Sequence, residues 1–272
     1  MNMVIGNTVT GRIKKVTQPR DGYLKPSMFV KTTFDDGVVL AKNENISPTI
    51  TGMAVDYMTR FLLTGDKEEA FCISLKGMRN ARMMNANGGR RGDCLLEQIT
   101  DLDDESIIAA CKIVTYDDWY RNPMAAIKAS GEEAVNPDKQ TIDNIRIMIQ
   151  RSLSFWDKVG PILTAGFDFC EKDEQGNIVN SGYTDIVSSG DGDYLTHDTM
   201  WDFKVLKSDI TNKHTLQILM YYIMGKNSCM DIYKNISKLG FFNPRLNAAY
   251  VLDAADIPQE VIEAVARDVI GY

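Results

Sequence analysis

Apolar positions recur at helical spacing through the middle of the chain and at strand spacing toward its two ends. Met53, Tyr57 and Phe61 stand four apart, which predicts one buried helix face. Ser47 as N-cap and Pro48 in the first turn open that helix, and Gly65-Asp66 close it. A second helix is expected from Glu68 to Met84. After the loop-like Asn85–Gly92, further helices are expected over Asp103–Ile113, Asp117 to about Ser130, and Lys139–Lys158. The last carries Ile142, Ile145, Ile149 and Leu153 on one stripe.

The flanks read differently. Val9-Thr10 and Met28–Phe34 are β-branched and aromatic, broken by Pro19, Asp21-Gly22 and Asp35-Asp36-Gly37. After Gly160-Pro161 the period becomes two. Strands are expected over Ile162–Phe169 and Ile178–Val187, joined by the polar turn Glu171–Asn177, and from about Tyr194 to Leu206. A helix from Lys213 to about Gly225 follows, then strands near Lys238–Phe242 and Ala248–Leu252, and a helix after Pro258. The sum is an α/β chain in three stretches. Residues 1–46 form a β-rich segment, 47–159 a helical portion packed on the core, and 160–272 the core with a C-terminal helix.

Composition narrows the classes. Hydrophobic residues at 44% and charged residues at 25% are those of a globular protein. No apolar run reaches the length of a membrane span, and the first residues lack a secretory pattern, so a cytoplasmic protein with no membrane partner is expected. Cys72, Cys94, Cys111, Cys170 and Cys229 are scattered, with no C-x-x-C pair, against both a disulfide framework and a zinc ribbon. The net charge of −7 is unevenly spread: residues 168–198 hold eight acids against Lys172, whereas 70–92 hold Lys76, Arg79, Arg82, Arg90 and Arg91 with no acid. Residues 1–42 are basic as well. Such runs are commonly solvated faces; together they also allow a cation site and a separate grip on a polyanion.

The informative stretch is Thr199-Met200-Trp201-Asp202-Phe203-Lys204-Val205. Alternation along a strand puts Trp201, Phe203 and Val205 on one side and Asp202 and Lys204 on the other. Asp185, near the end of the preceding predicted strand, is expected to converge with them across a tight turn. Two carboxylates at close range favour a divalent cation between them. A D-x-K tripeptide alone is as well read as an ordinary surface Asp–Lys pair. The next helix, however, sets His214, Gln217 and Tyr221 on one face.

The order Gly182-Tyr183-Thr184-Asp185, then Trp201-Asp202-Phe203-Lys204, then Gln217-Ile218-Leu219-Met220-Tyr221 resembles the PD-(D/E)xK nuclease superfamily, in its RecB/λ-exonuclease-like branch. The resemblance is confined to roughly residues 160–252. It implies a restriction-endonuclease-like core, a mixed central sheet flanked by helices, and Mg²⁺- or Mn²⁺-dependent hydrolysis of phosphodiester bonds in nucleic acid, DNA before RNA. By that likeness Asp185, Asp202 and the carbonyl of Phe203 would hold the metal, Lys204 would position the attacking water, and Gln217 would support the site. Asp56 is the candidate for an additional acidic ligand from an upstream helix. The iron–sulfur cysteines of some members have no counterpart. Nucleic acid would meet Arg79, Arg82, Arg90, Arg91 and Tyr221, and Trp119 and Tyr120 could stack on bases or simply pack. A homo-oligomer or a protein partner is an expectation of the same likeness. The alternative is a catalytically inactive nuclease-like fold serving as a nucleic-acid or protein binding module in a phage or defence system.

Overall fold

The computed structural model describes residues 6–84, 91–128, 131 and 134–272. In chain order its elements begin with β1 (Asn7–Thr8), α1 (Val9–Lys15) and β2 (Val30–Thr33). Helices follow: α2 (Pro48–Thr64), α3 (Lys67–Ala70), α4 (Cys72–Met83), α5 (Arg91–Gln98), α6 (Asp104–Ile113), α7 (Asp117–Arg121), α8 (Pro123–Ala126) and α9 (Lys139–Val159). Then come β3 (Thr164–Phe167), β4 (Cys170–Lys172), β5 (Ile178–Ser181), β6 (Val187–Ser189), β7 (Gly192–Leu195) and β8 (Thr199–Phe203). The chain ends with α10 (Asn212–Asn227), β9 (Lys238–Asn243), β10 (Ala248–Asp253) and α11 (Gln259–Ala264), which widens into a π turn over Val265–Ile270. The chain divides into two compact units: the stretch up to Phe34 with Val159–Tyr272, and Asp35–Lys158.

The first unit is built on a six-stranded sheet of order β2-β10-β9-β8-β7-β3. It is mixed. β8 and β9 run parallel, linked through α10, and the other pairings are antiparallel. All five residues of β8 are buried, as a central strand covered on both faces requires. Trp201 lies opposite Gly240 on β9. A Cβ at Gly240 would come within 2.3 Å of the indole ring, so only glycine lets that ring cross the neighbouring strand. On α10 the buried Leu216, Ile218, Leu219, Met220, Ile223 and Met224 join β8, β9 and the C-terminal turn in one core, each such side chain contributing about 1.5–3 kcal/mol.

Three strand expectations change here. Val9-Thr10 opens a helix: the Thr8 hydroxyl accepts from the Gly11 N–H at 2.9 Å, and Val9 and Ile13 bury themselves at helical spacing. The run Ile178–Val187 breaks at a bend, because the Thr184 hydroxyl accepts from the N–H groups of Ile186 and Val187 and donates to the Ile270 carbonyl. The run Tyr194–Leu206 is a hairpin, β7 turning into β8 at His197-Asp198. The Asp198 carboxylate takes the Thr199 hydroxyl at 2.7 Å and the Lys238 ammonium at 2.8 Å.

The second unit is helical and begins at residue 35 rather than 47. Asn144 on α9 bonds both the N–H and the carbonyl of Ala41, and the Arg151 guanidinium grips Asp36 at 2.6 and 3.0 Å. Its α2 starts and stops as expected, with Ser47 accepting from the Ile50 N–H and Gly65 in the left-handed region at φ 74°. The expected helix 68–84 breaks at Phe71, which is fully buried edge-on against Tyr57. The helix expected from Asp117 stops at Arg121 and restarts at Pro123, since a residue preceding proline resists helical geometry. Arg91–Gln98 is helix where a loop end was expected. At the centre of the unit Asp117, 1% exposed, accepts the Tyr57 and Ser74 hydroxyls, both at 2.6 Å.

Candidate active site at the end of strand β8

β8 carries Asp202 at its C-terminal end, where the chain leaves the sheet for α10. In open α/β sheets ligands bind outside such carboxyl ends. Asp202 is 2% exposed, and its Oδ2 lies 2.8 Å from the Lys204 ammonium. The Lys204 N–H donates to the Phe242 carbonyl at 3.0 Å, which extends the β8–β9 ladder one residue past the strand.

The hairpin brings another acid to this end of β8. Tyr194 pairs with Trp201 and Leu195 with Met200, and Asp193, the residue before Tyr194, reaches β8 through its side chain. The half-buried Asp193 accepts the Phe203 N–H through Oδ2 at 2.7 Å. Asp185, by contrast, is exposed in the bend between β5 and β6. Those strands pair with β4 and β1, not with β8. Within the Gly182-Tyr183-Thr184-Asp185 motif, Tyr183 makes the bonds that reach the turn. The Tyr183 hydroxyl donates to the Gly190 carbonyl at 2.7 Å and accepts its N–H at 3.2 Å, clamping the turn that precedes Asp191 and Asp193.

Over this end of the hairpin stands α10. The Gln217 amide donates to the Tyr221 hydroxyl at 2.9 Å. Burial drives the Tyr221 phenol well above its ordinary pKa, and the charges of Asp202, Asp191 and Asp193 push the same way. Tyr221 is 3% exposed. The contact with nucleic acid expected of it gives way to holding Gln217, because a side chain so enclosed does not reach a polymer. His214 closes a capping box: its Nδ1 accepts the Thr211 N–H at 3.0 Å. Burial, then the positive charges of Lys204 and Lys213, push its ring down to about 4, so at neutral pH it is uncharged.

The remaining candidates lie in the helical unit. Asp56 on α2 is bound by the Arg60 guanidinium, both contacts at 3.0 Å. Arg79 is exposed on α4, and Arg82 is paired with Asp93 at 2.5 Å. Arg90 lies outside the described residues, as does the side chain of Arg91, the first residue of α5.

Asp193 is the residue that sequence reasoning missed. Its signal was present: the polar His197-Asp198 dipeptide interrupts an otherwise apolar run and marks a hairpin turn whose register points back to it. Among the described residues no group of three or more His, Cys, Asp or Glu side chains is arranged to hold a metal ion. The donor set still suits a small hard cation, since Mg²⁺ is commonly held by one or two carboxylates and keeps several waters. Among the described residues no helix is long and apolar enough to cross a membrane. No protein-family model, curated protein or solved structure matches the chain.

Proposed function

We propose that the chain hydrolyses phosphodiester bonds in nucleic acid, DNA being the expected polymer, with the help of Mg²⁺ or Mn²⁺. The observation that supports this reading is the buried Asp202, paired with Lys204 at the C-terminal end of a central strand where Asp193 bonds the next backbone N–H, that of Phe203. Asp202 and Asp193, with the carbonyl of Phe203, would hold the metal, Asp193 taking the part first given to Asp185. A bound divalent cation would polarise a phosphoryl oxygen and lower the pKa of a coordinated water. Lys204, tethered beside Asp202, would orient that water and meet negative charge developing on the phosphate. Gln217, steadied by Tyr221, would hold the near side of the site.

A second reading, a silent fold that binds nucleic acid or protein, is favoured by the direct Lys204–Asp202 pair, which neutralises the central acid within the chain. One experiment separates the two. Calorimetric titration with Mn²⁺ and cleavage of end-labelled DNA are measured on wild type and Lys204→Ala. The nuclease reading expects metal binding by both proteins and cleavage by wild type only, with the rate falling about 10²-fold or more in the variant. Metal binding by neither protein, or cleavage by both at one rate, overturns it.

A further inference from the structure

On the helical unit, α4 and α7 cross at unusually short range. A Cβ at Gly77 would stand 1.9 Å from the Tyr116 carbonyl oxygen, and the Asn80 amide donates to the Trp119 carbonyl at 3.1 Å. This crossing sets Lys76 beside Tyr120, its ammonium 5.5 Å from the ring centroid. Tyr120 is nonetheless 46% exposed, and Met83 on α4 and Met124 on α8 are 76% and 69% exposed. Lys76, Arg79 and Met83 follow one another at i, i+3 and i+7, one side of α4.

The charge on this face is mainly positive. α4 has no acid, and of the two acids on α7 Asp117 is buried within the unit, leaving Asp118 exposed. In a chain of net charge −7 a cationic, aromatic and apolar surface is a local departure. Acidic peptides could satisfy the cations, but an exposed tyrosine ring with an ammonium beside it also suits the flat face of a base.

We propose that this face of α4, α7 and α8 binds an unpaired stretch of nucleic acid, with Tyr120 stacking on a base and Lys76 and Arg79 meeting its phosphates. It rests on the reading that nucleic acid is the substrate, and it adds a single-strand grip that does not depend on the metal. Stacking on an aromatic side chain is tolerant of sequence, and the cations make affinity fall with salt.

The test uses the full chain, a fluorescein-labelled dT20 oligonucleotide and excess EDTA, so that binding is read by anisotropy without cleavage. Tyr120→Ala is expected to weaken binding about 5- to 100-fold, and Tyr120→Trp to restore it. Lys76→Gln combined with Arg79→Gln is expected to flatten the plot of log K against log[salt] by about 1.4. Equal affinity of wild type and Tyr120→Ala overturns the proposal, as does failure of wild type to bind dT20. So does a dimer in sedimentation that Tyr120→Ala dissolves while dT20 goes unbound, which would give the face to a second copy of the chain. The same titration on Asp202→Asn separates this proposal from the nuclease reading. Tyr120-dependent binding retained there, with no cleavage by wild type in Mn²⁺, upholds the platform and sinks the nuclease. Cleavage by wild type with Tyr120→Ala binding unchanged does the reverse.

Discussion

Each unit buries one aspartate almost completely, and the two are satisfied by opposite means. Asp117 in the helical unit sits among neutral donors, the hydroxyls of Tyr57 and Ser74, with the Arg121 guanidinium 3.7 Å away. Burial outweighs those bonds and lifts its carboxyl above the ordinary range. Asp202 in the sheet unit instead meets the Lys204 ammonium, with the Asp193 carboxylate bonded to the next backbone N–H, that of Phe203. The first arrangement ties α2, α4 and α7 together and leaves nothing for a ligand to exchange. The second keeps a buried carboxylate paired with an ammonium near another acid, which is costly for folding and, on the proposed reading, suited to a metal.

Substitutions should therefore separate stability from chemistry. Asp202→Asn and Asp193→Asn are each expected to weaken Mn²⁺ binding about 10- to 100-fold in calorimetry, with the fold retained by circular dichroism. Asp117→Ala should leave metal binding as in wild type but cost about 2–4 kcal/mol in urea unfolding, since two buried hydroxyls lose their acceptor. A metal defect in Asp117→Ala, or a larger stability loss in Asp202→Asn, would erase the contrast.

His214 gives a smaller, pH-dependent effect. Its folded pKa of about 4 lies below the unfolded 6.5. Between those values the unfolded chain binds the extra proton, so its stabilising contribution is full above pH 6.5 and is lost as pH falls toward 4. His214→Asn, which keeps a cap acceptor, should lose less stability than wild type between pH 7 and pH 5 in urea titrations. The smallest effect is expected of Asp185→Asn: stability within about 0.5 kcal/mol of wild type and unchanged Mn²⁺ affinity. A metal defect there comparable to that of Asp193→Asn would return Asp185 to the site.

Much of this was legible in the chain. Caps such as Ser47 and stops such as Gly65 are local signals, and α2 runs between them. The D-x-K strand and the Gln217–Tyr221 helix also follow from alternation and helical spacing, because each depends on neighbours within a few residues. What escaped was strand register. The stretch from Tyr194 to Leu206 reads as one strand although His197-Asp198 marks a turn within it, and with two strands folded back the acid brought to Phe203 is Asp193. Val9 and Ile13 escaped for a related reason, since a single buried pair on a seven-residue helix competes poorly with β-branched composition.

The helical unit interrupts the sheet unit in sequence, and the Arg151–Asp36 pair has a consequence for the order of assembly. β2 pairs with β10, residues 30–33 with 248–251, so on a ribosome the edge of the sheet waits until nearly the whole chain has emerged. The helical insertion needs nothing beyond residue 158 and is free to fold first. Once Arg151 holds Asp36, the start and the end of that insertion are fastened together, and the growing polypeptide behaves as though the detour were a short link. Shortening an effective loop about tenfold lowers its closure cost by roughly 2 kcal/mol. A guanidinium remote in sequence from β2 and β10 would thus act as a timing element, a knot tied early so that β10, the last strand to leave the ribosome, finds β2 within reach.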